Sequence, residues 1–136
     1  MALVVGGALR GTGVGYGEGV VTHVDEAGIV AALDGIRTHQ PLTPFMFFYG
    51  GGYLYPMYAF VALAQRVALP AGAIEWREPA GHAFHVLARS WSTVTSTATI
   101  ALVYVLGGVV GGTAPGVLAA VLMAGMNLAV REAHIA

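Results

Sequence analysis

The sequence predicts a mostly α-helical integral membrane protein with two or three transmembrane helices, a C-terminal helical hairpin among them, and a Gly-rich irregular N-terminal segment. Three observations carry that prediction. Of 136 residues, 57% are apolar and only 10% are Asp, Glu, Lys or Arg, where a typical soluble domain has about 25% charged residues. Mean hydropathy is +0.72. Two long stretches, residues 38–65 and 90–130, hold no charged side chain at all, and a single crossing takes only about 20 apolar residues.

The same numbers exclude several classes. A net charge of −1 with no basic run does not suit a nucleic-acid partner. The absence of Cys removes a disulfide scaffold, and the apolar content removes a disordered chain. All six cations are Arg and none is Lys, which fits a coding bias and carries no mechanism.

Residues 1–37 form the Gly-rich aqueous or interfacial N-terminal segment. Its apolar stretch, 2–9, is too short for a secretory core with a basic flank; with Met1 as the start, no cleaved targeting segment is expected. Gly11, Gly13, Gly15, Gly17 and Gly19 alternate at period two. A dinucleotide loop needs a strand before it and a helix directly after it, so this strip is expected to be a flexible or closely packed extended arm. A short helix is expected over 25–34, with Asp25 as N-cap and Gly35 beyond its end.

Residues 38–69 make an aromatic membrane segment interrupted by Pro and Gly. Phe45, Phe47, Phe48 and Tyr49 precede Gly50, Gly51 and Gly52, and Tyr53, Tyr55, Pro56 and Tyr58 follow. Glycine and proline inside a helix oppose it, and clustered tyrosines favour the headgroup level. The segment is therefore a broken spanning helix or a re-entrant one, with its regular part over 57–69, stopped by Pro70 and Gly72. Residues 70–90 form a polar interfacial loop, with a short amphipathic helix over 82–89.

Residues 91–131 are expected to form the transmembrane hairpin. One helix covers about 93–110, a turn lies at Gly111, Gly112 and Pro115, and a second helix runs to about 130; the rival is one long helix kinked at Pro115. Residues 132–136 are a tail. With three crossings, Arg66, Arg77, Arg89 and Arg131 share one side, against Arg10 and Arg37, and the positive-inside rule places that side in the matrix or cytoplasm.

Candidate functional residues are few. Gly108, Gly112, Gly116, Ala120 and Ala124 recur every four residues, and Gly107 and Gly111 add a parallel pair. Small residues at that spacing let helices approach closely in lipid, where no hydrophobic force brings them together. Asn127 lies beside that face. Glu78, His82 and His85 have the spacing of metal ligands on one helix face, although Pro79 interrupts the helix, and they remain weak candidates. Arg66 and Arg89 flank apolar segments and are expected to contact lipid phosphate, cardiolipin being a suitable bound phospholipid. The hydroxyls of residues 90–99 are expected to pack against another protein and not to line a conduit. No other cofactor, no catalytic residue and no small-molecule substrate is expected.

Neither charge gap contains an acid or base that could relay protons or bind ions. The expectation is a non-catalytic accessory subunit that stabilises a large energy-transducing complex, foremost the respiratory chain of the mitochondrial inner membrane. Its partners would be the other membrane subunits of that hetero-oligomer and lipids. The alternatives are a small self-associating pore or channel and a photosystem accessory subunit.

Overall fold

The computed structural model describes residues 1–15, 24–38, 50–70, 72–76, 81–126 and 130. Among these the chain is mostly helical and has no strand. Its helices are α1 (Ala2–Gly11), α2 (Val24–Thr38), α3 (Gly51–Val67), α4 (His82–Gly111) and α5 (Thr113–Gly125). The chain divides into two compact units. Unit one comprises Met1–Val14 and Ser92–His134, and unit two comprises Gly15–Trp91 with Ile135–Ala136.

The N-terminal segment is not irregular where it is described, because α1 and most of α2 fall within it. α2 passes through Gly35, where a helix end was expected. Ile29, Leu33 and Ile36 are all buried, and that i, i+4, i+7 stripe continues only if the helix does. The Thr38 hydroxyl donates to the Asp34 carbonyl at 2.7 Å, and the Arg37 guanidinium pairs with the Asp34 carboxylate at 2.7 Å, supporting the last turn. Of the glycine strip, residues 16–19 lie outside the described residues, as do 39–49 of the aromatic segment.

α3 begins six residues earlier than expected and contains Pro56. Leu54, Met57 and Val61 are completely buried at i, i+3, i+7, so the stripe that fixes the helix starts before the proline. Pro56 is the sixth helical residue and costs only the bond to the Gly52 carbonyl. The Gly50 carbonyl accepts from the Tyr53 and Leu54 amides, closing the first turn.

Residues 82–89, expected as a short amphipathic helix within the polar loop, are helical and continue without a break into the first hairpin helix as α4. At 30 residues α4 is about 45 Å long and is the one described helix long and apolar enough to cross a membrane. α5, with 13 residues, spans about 20 Å, short of a hydrocarbon core of about 30 Å. Two or three full-length spans are therefore not present among the described residues. The charge balance behind the expected orientation also weakens, since Arg10 and Arg89 are buried in protein.

The hairpin of α4 and α5 is present. Its turn rests on Gly112, whose φ of +88° is unfavourable for any L side chain. Ile100 packs with Ala120 and Ala124, and Gly107 meets Gly116, an antiparallel pairing. The register differs from the expected ladder. A methyl built on Gly107 would come within 2.9 Å of the Gly116 Cα, and one on Gly116 within 2.7 Å of the Tyr104 carbonyl oxygen and 2.9 Å of the Gly108 nitrogen. On Gly108 a methyl would meet open space, and on Gly111 it would meet only the Pro115 ring. The seam is thus Gly107, Gly116, Ala120 and Ala124. Gly108 joins it through its backbone alone, and Gly112 belongs to the turn.

Adjacent glycines should therefore respond in opposite directions. Gly108→Ala gains helix propensity, up to about 1 kcal/mol. Gly107→Ala drives backbone from backbone and should lose about 1–3 kcal/mol. Thermal unfolding of the detergent-solubilised protein, followed by circular dichroism, reads both; shifts of the same sign would show that the seam is misassigned.

Candidate functional site

Among its described residues, unit one is built around a single charged side chain. Arg10 is the only charged residue in 1–14 and 92–130, and its side chain is completely buried. Its Nε donates to Ser96 Oγ at 2.8 Å, Nη1 to the Gly6 carbonyl at 3.1 Å and the Ala124 carbonyl at 3.0 Å, and Nη2 to the Met123 carbonyl at 2.8 Å. Met123 and Ala124 lie in the last turn of α5, where carbonyls have no intrahelical donor and the helix dipole favours positive charge. The Arg10 carbonyl in turn accepts from Thr93 Oγ1 at 3.0 Å. This approach depends on Gly6, since a methyl there would overlap Ile100 Cδ1 and lie 3.1 Å from Ala124 Cβ. The hydroxyls of α4 expected to pack against another protein meet α1 of this chain instead, or bond back to their own helix, as Thr99 does to the Thr95 carbonyl and Ser90 to the Val86 carbonyl.

The outside of unit one is apolar. Among the described residues, seventeen of the nineteen exposed large apolar ones belong to it, Val109, Val110, Leu118 and Leu122 among them; Leu63 and Val67 belong to unit two.

Unit two has a different construction. Ile29, Leu33, Leu54, Met57, Val61 and Phe84 form an ordinary buried core, and inside it sits an ion pair. Arg89 Nε donates to Glu26 Oε1 at 3.0 Å, and Nη2 lies 2.9 Å from Oε1 and 3.2 Å from Oε2. His85, one turn before Arg89, places Nδ1 4.0 Å from Glu26 Oε2. All three side chains are at most 2% exposed. Both carboxylate oxygens are engaged by the guanidinium, so Glu26 fixes α2 against α4.

The expected site residues scatter accordingly. Arg89 does not reach a lipid headgroup, because Glu26 occupies its fork and both are shielded from solvent. Arg66 is exposed near the end of α3. Of the metal candidates, Glu78 lies outside the described residues, His82 is exposed and His85 is buried on Glu26. Among the described residues no group of three His, Asp or Glu side chains is arranged to hold an ion. Asn127 also lies outside the described residues. Sequence reasoning missed Arg10, Gly6 and Glu26. A lone charge between apolar runs was the available signal for Arg10; nothing local links Glu26 with a residue 63 positions away.

Breaking the buried pair on one side should be far worse than removing both partners. Arg89→Met leaves Glu26 charged and buried, at a cost of about 3–5 kcal/mol, whereas Glu26→Met with Arg89→Met leaves no stranded charge and should recover most of that loss. Denaturant unfolding of the single and double variants measures it, and an Arg89→Met protein as stable as the parent would refute the assignment.

No protein-family model matches the chain, and no curated protein or solved structure matches it either.

Proposed function

We propose that this chain is a non-catalytic membrane subunit whose first unit lies in lipid and against neighbouring subunits of a hetero-oligomeric assembly. The observation that carries the reading is the distribution of apolar surface. Among the described residues, seventeen exposed large apolar ones belong to unit one, which offers water no charged side chain there. Hydration of such a surface is unfavourable. α4 has the length to cross a bilayer, whereas α1 and α5 do not, at about 15 Å and 20 Å. Short apolar helices of that kind are accommodated by thinned lipid or by a protein neighbour, which is the situation of an accessory subunit. The host in this proposal is an energy-transducing complex, with the mitochondrial respiratory chain as the first to test.

The polar atoms of α4 favour this over a self-associating pore. Ser96 and Thr93 are spent on Arg10, and Thr95 and Thr99 on their own helix, so those hydroxyls are not left as a hydrated strip.

Mild detergent extraction followed by native electrophoresis tests the proposal. The chain should resist carbonate extraction and co-migrate with larger partners at one copy per assembly. Release as a soluble monomer, or a homo-oligomer without partners, would overturn it.

A further inference from the structure

The exposed cation of α3 opens onto a cleft in unit two that the assembly reading does not use. The cleft has a volume of about 470 Å³, and Arg37, Tyr58, Gln65, Arg66, Leu69 and Trp76 are on its walls. That is the size range of small-molecule sites. What the walls offer a guest is one-sided. Trp76 Nε1 donates to Gln65 Oε1 at 3.2 Å, which turns the donor end of that amide free. Arg37 keeps Nε and Nη2 on Asp34, with its guanidinium carbon 5.7 Å from the centre of the Trp76 ring. Its Nη1 is left over. Arg66 has no hydrogen-bond or ion-pair partner among the described residues. No acid is among the described residues that line the cleft. The charged groups of the lining are therefore two guanidiniums, beside an apolar and aromatic wall of Leu69, Trp76 and Tyr58, whose ring stands 5.5 Å from that of Trp76.

We propose that this cleft binds a phosphate ester, with the anion on Arg66 and the free edge of Arg37 and the less polar part of the ligand against Trp76 and Leu69. A planar guanidinium matches two phosphate oxygens at once. A ligand rich in acceptors suits a site whose charged groups are all donors. Asp34 fixes the Arg37 fork and offsets its charge, which leaves Arg66 as the uncompensated cation of the cleft. A phospholipid headgroup and a soluble phosphate ester share this chemistry.

The full chain, purified in an uncharged maltoside detergent, is titrated by calorimetry with monomeric dihexanoyl phosphatidylglycerol and, separately, with inorganic phosphate. Saturable binding at one site per chain is expected. Arg66→Gln should weaken it by at least about tenfold, the range for a hydrogen bond to a charged group, while Arg131→Gln, the same charge change far along the chain, leaves it unchanged. Binding of the lipid alone supports the headgroup source, and binding of phosphate, or competition by it, supports a soluble ester. No saturable binding of either probe, or equal losses in the two variants, would overturn the site. Because the experiment uses the isolated chain, its failure is separate from failure of the assembly reading, which partner co-migration decides.

Discussion

The guanidinium of Arg10 is out of water, and its donors end on carbonyls of α1 and α5 and on the hydroxyl of Ser96 in α4, so three helices meet on one cation. A charge in an apolar unit must either reach water or be surrounded by dipoles. Here the dipoles belong to the open end of α5, which needs donors for its last carbonyls as much as the cation needs acceptors. Other features follow from that one requirement. α1 must approach closely, which Gly6 permits. Ser96 must face α1, which assigns the hydroxyl side of α4 to the interior. The apolar sides of all three helices are then left facing outward, and those are the sides that are exposed.

Unit two meets the same problem with a different solution. Glu26 and Arg89 neutralise one another, and the aromatic side chains of Trp76, Phe84 and Tyr58 close around the core. A buried ion pair is a poor source of net stability, because desolvation offsets most of the attraction. It is a strong constraint on register, because a shift of α2 along α4 by one residue strands both charges. The pair therefore specifies which faces of α2 and α4 meet more than it adds to their affinity.

Helix content and the hairpin were legible in the sequence because both follow from local pattern: charge gaps, a glycine turn and small residues at regular spacing. The finer assignments failed where tertiary contact decided. Gly35 and Pro56 signal a break locally, yet Ile36 and Leu54 extend buried stripes past them. The four-residue ladder placed Gly112 on a packing face, but a helix that reverses at Gly112 resets the phase, so a methyl on Gly107 would meet Gly116 while one on Gly108 would meet open space. Arg89 looked like a headgroup anchor because it stands at the edge of an apolar run; only Glu26, distant in sequence, makes it an interior residue. Arg37 and Arg66 looked unrelated for the same reason, since a cleft between separate elements leaves no trace in spacing.

α4 carries the last argument, since its chemistry changes along its length. Its first turns hold Phe84, His85, Ala88 and Arg89, all buried in unit two, and Arg89 is its last charged residue. From Val94 onward its exposed residues are Val94, Leu102, Tyr104, Val105, Leu106, Val109 and Val110 among the large apolar ones. The part belonging to unit one runs from Ser92 to Gly111, about 30 Å at 1.5 Å per residue, which equals the hydrocarbon thickness of a typical bilayer. The excess length of the helix over a bilayer is thus the part that carries charge and is covered by protein. A soluble core helix of 30 residues would be covered along its whole length, and a simple membrane anchor would have no reason to bury an ion pair in its first turns. The division of α4 between a charged, enclosed part and an uncharged, exposed part is the pattern expected under the proposal of one unit in lipid and another folded around its own core.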